Sequence, residues 1–250
     1  INKSNIMGFY RGPNIVTDGL VFAVDAGSER SYSGSGTTAY DLITSETAIL
    51  TNGVTFSNNT WVFDGVDDYI NLNTSVVPTG GVGSIEAWAK FTGNSAGGIV
   101  GFGDGGTTNW GGFDNGDRTG AYPDEVLAFI NLTTGTSRDL VMYGRLPGGG
   151  EEQLNDGNYH HVVAVVDGVE NTIYLDGNKM TTITFALGSA TNAGFMNMDT
   201  LNKLRIGNST YNNGHIPLAG EIPIVRIYDK GLSAAEVSQN FNAQKSRFGL

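Results

Sequence analysis

Short apolar or alternating runs of about five to eight residues, each closed by a glycine-bearing turn, recur along the whole chain, and this rhythm predicts hairpins of a β-sandwich or barrel. Leu20 to Val24 ends at Asp25-Ala26-Gly27, and Trp61 to Phe63 ends at Asp64-Gly65, with Tyr69 to Leu72 immediately after. In SIEAWAKF, Ile85, Ala87, Ala89 and Phe91 share one face while Glu86, Trp88 and Lys90 share the other, so Trp88 is expected to pack beneath an overlying segment. Ile99 to Phe102, Val126 to Leu132 and Leu140 to Tyr143 continue the pattern. The clearest hairpin is His160 to Val166, a turn at Asp167-Gly168-Val169-Glu170, then Asn171 to Leu175 and a closing Asp176-Gly177 turn. Its first strand is almost continuously apolar, as a central strand covered on both faces should be. Late strands run from Leu204 to Ile206 and from Ile222 to Tyr228, and Pro223, which cannot donate a ladder hydrogen bond, is expected at an edge or a strand start. One helix stands out: Ser233-Ala234-Ala235-Glu236 fits a capping box, and the helix should run to about Ala243 and dock through Val237 and Phe241.

Composition narrows the class. With 37 glycines, 39% hydrophobic and 16% charged residues in 250, the chain suits many short strands and one sizeable core rather than long helices or disorder. The expected organisation is an all-β, two-sheet antiparallel sandwich of jelly-roll type with one short C-terminal helix. It spans residues 17–244, with an N-terminal arm over 1–16 and a tail over 245–250. A net charge of −11 without a Lys/Arg cluster repels a phosphate backbone and argues against nucleic acid. Cysteine is absent, so packing must supply the stability, and the composition points to synthesis in a reducing compartment. No apolar run approaches the ~20 residues that cross a bilayer, so no membrane partner is expected.

Four segments carry a resemblance. WVFDGVDDYINL (61–72), SIEAWAKF (84–91), NYHHVVAVVDGVENTIYLDG (158–177) and LAGEIPIVRIYDKGLSAAEV (218–237) resemble, in order, strands, central hairpin and closing strand-helix of laminin-G-like jelly-roll domains. Those domains belong to the concanavalin A-like lectin/glucanase superfamily. More narrowly, GFYRGPNIVTDGLVFAVDAGSERSYSGSGTTAYDL (8–42) and NFNAQKSRFGL (240–250) resemble structural proteins of tailed, especially marine, bacteriophages. The sequence departs from those relatives at Ala39 and at Ile43-Thr44-Ser45-Glu46, where they carry a tryptophan and an SGNGN-like loop. The resemblance implies a virion component made in the host cytoplasm and exposed on the particle, as a capsid decoration, head fibre or tail-associated protein. Its partners would be other virion proteins, host surface glycans as a second class, and further copies of itself.

Candidate chemistry is sparse. Glucanases of this fold take two carboxylates from one strand as an ExDxE alternation, ~5 to 10 Å apart, and no such pattern occurs, so no catalytic residue and no enzyme is expected. Adjacent His160 and His161 face opposite sides of their strand and cannot share a metal; one is expected in the core and the other in solvent, with His215 isolated. The segment Gly101 to Arg118 places Trp110 near Asp114, Asn115, Asp117 and Arg118, the aromatic, carboxylate and amide groups a sugar site uses. The alternative reading is a glycine-rich turn with a buried aromatic plug. No cofactor is predicted; Asp64, Asp67 and Asp68, or Asp114, Asn115 and Asp117, offer the hard oxygens calcium takes, but neither set follows the EF-hand spacing.

Overall fold

A computed structural model describes residues 14–92, 96–116, 125–133, 136–145, 154–211 and 214–250, without the side chains of residues 125, 126, 210 and 211. In chain order the strands are β1 (Leu20–Asp25), β2 (Thr38–Tyr40), β3 (Thr47–Thr51), β4 (Thr55–Ser57), β5 (Thr60–Asp64), β6 (Tyr69–Asn71), β7 (Gly83–Phe91), β8 (Gly97–Gly103), β9 (Trp110–Asn115) and β10 (Glu125–Leu132). They continue as β11 (Leu140–Arg145), β12 (His160–Val166), β13 (Thr172–Leu175), β14 (Asn178–Lys179), β15 (Thr182–Leu187), β16 (Lys203–Ile206), β17 (Asn208–Tyr211), β18 (Gly214–Pro217) and β19 (Ala219–Tyr228). Helix α1 (Ala234–Gln244) and a 3-10 turn at Lys245–Phe248 follow.

The strands form two antiparallel sheets and a separate hairpin. The eight-stranded sheet runs β14-β13-β12-β7-β19-β5-β4, with β1 also on β19; the nine-stranded sheet runs β15-β11-β10-β9-β8-β16-β6-β3-β2; β17 and β18 pair with each other, apart from both sheets, among the described residues. Between the large sheets lies one apolar core, to which β5 gives Trp61 and Phe63, β7 gives Ile85 and Phe91, β9 gives Phe113 and β10 gives Phe129. Each such side chain contributes about 1.5–3 kcal/mol by leaving water. The all-β sandwich with a C-terminal helix expected from the pattern is the fold observed.

Local chemistry explains the turns. Asp176 and Gly177 have φ of 49° and 76°, the two positive values that let a two-residue turn join Leu175 to Asn178 without splaying the strands. Asp67 and Asp68 follow a turn that crosses between sheets, since β5 and β6 pair in different ones. Pro223 departs from expectation. It sits inside β19, a central strand, where the register against β7 shifts between Glu221 and Ile224 and the partner on the other side changes from β5 to β1. A bulge is the interior position that tolerates a missing N–H, and its carbonyl still accepts from Ala26 N at 2.8 Å.

A third layer covers the outer face of the eight-stranded sheet. Helix α1 is capped as predicted, with the Ser233 hydroxyl accepting from Glu236 N and the Glu236 carboxylate accepting from Ser233 N. Val237 packs with Val163, Val165 and Tyr228, so β12 is buried on both faces. Trp88 lies under this layer, stacked on Phe248 at 4.3 Å and Phe241 at 5.8 Å between ring centroids. The tail at Lys245–Leu250 therefore folds back on its own sheet, and Arg247 clamps Asp25 with both contacts at 2.8 Å.

Candidate ligand-binding face

The outer face of the nine-stranded sheet is organised by one transverse row. Pairing places Val141, Ile130, Gly112, Gly101, Arg205, Asn71, Ile49 and Thr38 side by side across β11, β10, β9, β8, β16, β6, β3 and β2. In β10, β16, β6 and β3 the neighbours in sequence, Phe129, Leu204, Ile70 and Leu50, point into the core, so this row points out. The middle of the row is glycine for a steric reason. The β17–β18 hairpin lies on β8 and β9, and a Cβ at Gly101 would stand 2.3 Å from Ser209 Cα, one at Gly98 2.2 Å from Ser209 N. The strand expected over Ile99 to Phe102 extends from Gly97 to Gly103, and its missing side chains let a hairpin lie directly on the sheet.

The hairpin divides the face. On the β10–β11 side, Trp110 and Leu132 pack against Ala128, Ile130, Val141 and Tyr143, a closed apolar cluster. On the other side, β16, β6, β3 and β2 present Arg205, Lys203, Tyr69, Asn71, Ile49 and Thr38, half-buried or exposed. The Arg205 guanidinium lies over the Tyr69 ring, 4.0 Å from its centroid, and its Nη1 stands 3.5 Å from His215 Nδ1 on β18. Burial pulls the His215 pKa down from its ordinary value, and the charges of Arg205 and Lys203 pull it further.

The residues singled out from sequence fall differently. Trp110 is half-buried in the apolar cluster, and Asp114, four residues along the same strand, is buried. Asn115 is buried and its amide oxygen accepts from Gly97 N at 2.7 Å, which ties β8 to β9. Asp117 and Arg118 lie outside the described residues. Asp64, Asp67 and Asp68 do come together, with one carboxylate oxygen from each within 4.8 Å of the others. This is an all-oxygen donor set of the kind a hard cation takes. Asp68 Oδ2 accepts from Asp64 N, and burial, then the Asp64 and Asp67 charges, raise its carboxyl pKa against the opposing effect of that hydrogen bond.

Neither histidine of the pair faces solvent. His160 is buried between Asp176 (Nδ1 to Oδ2, 2.9 Å) and Asp156 (Nε2 to Oδ1, 3.2 Å); these carboxylates outweigh its burial and raise its pKa. His161 is fully buried on the other side, with Nε2 3.2 Å from Glu86 Oε1. The expectation of one solvent-facing histidine fails because the Asp176 turn and the loop at Asp156 fold over that edge.

Glu86 belongs to a buried polar cluster under α1. It accepts from Arg226 Nη1 and Asn240 Nδ2, both at 2.5 Å, and from the Tyr228 hydroxyl at 3.3 Å. Asn240 Oδ1 in turn accepts from Val16 N at 2.7 Å. Burial alone would raise the Glu86 pKa, but Arg226, His161 and Asn240 outweigh it and hold the carboxyl at about 2. The cluster is sealed, so Glu86 is a structural anion that fastens helix, sheet and N-terminal segment together.

Fold and surface together define a lectin-like β-sandwich with a partly open sheet face. The chain belongs to the concanavalin A-like lectin/glucanases superfamily, whose Laminin_G_3 family model matches residues 64–238. A comparison with curated proteins finds no match. Among solved structures, Trypanosoma rangeli sialidase in complex with sialic acid is similar with a TM-score of 0.58 at 16% identity, over 94% of this chain and 36% of that one. This chain therefore spans about a third of that protein. Domain 4 of AbnA, an extracellular arabinanase from Geobacillus stearothermophilus, in complex with arabinotriose, aligns with a TM-score of 0.57 at 15% identity over 89% of this chain and 98% of that one. The Ruminococcus gnavus IT-sialidase CBM40 bound to alpha2,3 sialyllactose gives 0.56 at 12% identity over 74% and 98%. At these identities the likeness is one of fold.

Proposed function

We propose that this domain is a non-catalytic carbohydrate-binding module displayed on a phage particle. The observation that carries the binding role is the open half of the nine-stranded sheet, where a guanidinium stacked on an aromatic ring, an amide, a hydroxyl and an aliphatic side chain lie on one face. Rings and aliphatic groups cover the C–H face of a sugar, and amide and hydroxyl groups meet its hydroxyls. The fold neighbours with bound saccharides are in keeping with this reading. The non-catalytic part is supported by where the acids lie: β16, β6, β3 and β2 contain no Asp or Glu, and Glu86 is sealed beneath the helix. A glycosidase needs two carboxylates facing one bond.

The particle setting rests on the likeness of residues 8–42 and 240–250 to tailed-phage structural proteins, and one observation favours it. The described parts of both segments meet: Val16 N donates to Asn240 Oδ1 at 2.7 Å, and Arg247 pairs with Asp25. Two distant stretches that share one likeness thus form one surface. A glycan array with the whole chain tests the binding role; binding without release of reducing ends is expected. Failure to bind any polysaccharide, or turnover abolished by one carboxylate substitution, would overturn it. Mass spectrometry of purified particles tests the setting, and the chain's absence from them would refute it.

A further inference from the structure

Among the described residues, six lysines and arginines, Lys90, Arg138, Lys179, Arg226, Lys230 and Arg247, are neutralised by carboxylates. Lys203 and Arg205 differ: they alternate along β16, point out on the same face, and have no carboxylate ion partner among the described residues. His215 on β18 brings a third basic group to the same place. Two unneutralised cations held together, joined by a third when His215 is protonated, repel one another, and that repulsion is recovered when an anion enters.

We infer that this half of the sheet binds a uronate polysaccharide, whose carboxylates meet Arg205, His215 and Lys203 while its rings lie along Tyr69, Asn71 and Ile49. The inference rests on the glycan-binding reading above and adds the charge of the ligand. Arg205 is set for the task, because stacking on Tyr69 fixes its guanidinium plane and a planar fork matches a carboxylate. The row from Arg205 to Thr38 crosses four strands, about 14 Å at ~4.8 Å per step, and so gives a short run of sugars a continuous floor. A uronate chain carries one charge per ring. Duplex DNA carries one per ~1.7 Å, a density that a protein of net charge −11 repels more strongly than three clustered bases can offset.

Isothermal titration of the whole chain with an oligogalacturonate, with its carboxyl-reduced neutral counterpart, with a sulfated galactan and with duplex DNA is the test. The oligogalacturonate should bind at least about tenfold more tightly than the reduced chain, the loss expected when a charge-assisted hydrogen bond is removed. Affinity should fall as salt rises. It should also fall as pH rises through the lowered His215 pKa, because His215 is cationic only below it. Arg205→Gln should weaken oligogalacturonate binding at least about tenfold, and His215→Gln, at an exposed position, should flatten the pH dependence. Equal affinity for the reduced chain, or undiminished binding by a natively fluorescent Arg205→Gln, overturns the uronate inference and leaves glycan binding standing. Binding of no saccharide at all overturns both. Tighter binding of the sulfated galactan or of DNA at the same salt also overturns the inference. Should Arg205→Gln fail to fold, the native and reduced saccharides on the unaltered chain, with His215→Gln, decide the matter.

Discussion

Replacing Glu86 by Gln tests the buried cluster that fastens the third layer. The substitution keeps shape and one acceptor but removes the charge opposite Arg226, which then stays buried without a counter-ion. Breaking a buried pair in this way typically costs about 3–5 kcal/mol. A second route gives a similar size. A carboxyl held at about 2 in the fold, against an ordinary 4.5, contributes on the order of 3 kcal/mol at neutral pH. The sign follows from the depressed value: this stability is present above about pH 4.5 and is lost as pH falls through about 2, where the native carboxyl takes up its proton. Urea unfolding followed by tryptophan fluorescence reads it directly, since Trp61 and Trp88 are fully buried. Glu86→Gln should be about 3 kcal/mol less stable at pH 7, and the gap should shrink to less than about half of that by pH 3. A gap below about 1 kcal/mol at pH 7, or one equal at pH 7 and pH 3, would refute the account of Glu86 as an ionised clasp.

Two further outcomes follow from local geometry. His160 is the opposite case to Glu86, with its pKa raised by Asp176 and Asp156; its contribution is complete below about 6.5 and is lost as pH rises through the raised value. His160→Gln should therefore destabilise more at pH 5.5 than at pH 8.5. In an NMR titration the His160 signal should move above, and that of His215 below, the ordinary histidine range; the reverse order would refute both assignments. Gly101→Ala drives a methyl group to 2.3 Å from Ser209 Cα, so it should cost about 1–3 kcal/mol in thermal or urea unfolding, and loss-free substitution would show that the hairpin does not rest on the sheet.

What the sequence disclosed and what it hid divide along one physical line. Features set by a few neighbouring residues were legible: the Asp176-Gly177 turn, the Ser233/Glu236 capping box, and the continuous apolar run of β12 that marks burial on both faces. Features set by pairing between distant strands were not. Pro223 is tolerated because β19 changes partner there, and the change is invisible until β1 and β5 are in place. The glycines of β8 have no local explanation until Ser209 is seen lying on them. The candidate face is hidden for the same reason. Alternation in KLRI and YIN does mark Lys203, Arg205, Tyr69 and Asn71 as outward-facing, but nothing local puts β16 beside β6, or His215 beside Arg205. Trp110 is what stands out in sequence, because aromatic and acidic residues cluster there, and the sheet turns that ring into packing.

The two outer faces of the sandwich have been put to different uses, and this bears on how such a module would work. On the eight-stranded sheet, Trp88 and the Glu86 cluster are covered by the chain's own α1, Lys245–Phe248 and the segment at Val16, so that face holds the described ends of the chain together. On the nine-stranded sheet, the hairpin lies over Gly98 and Gly101 and brings His215 to the border of the open half, while Trp110 and Leu132 pack over the β10–β11 half. An attachment made through the terminal segments would act on one side of the sandwich while Arg205 and Tyr69 face away on the other. Tethering and ligand contact then need not compete for surface, and substitutions in the open face should change saccharide binding without changing attachment.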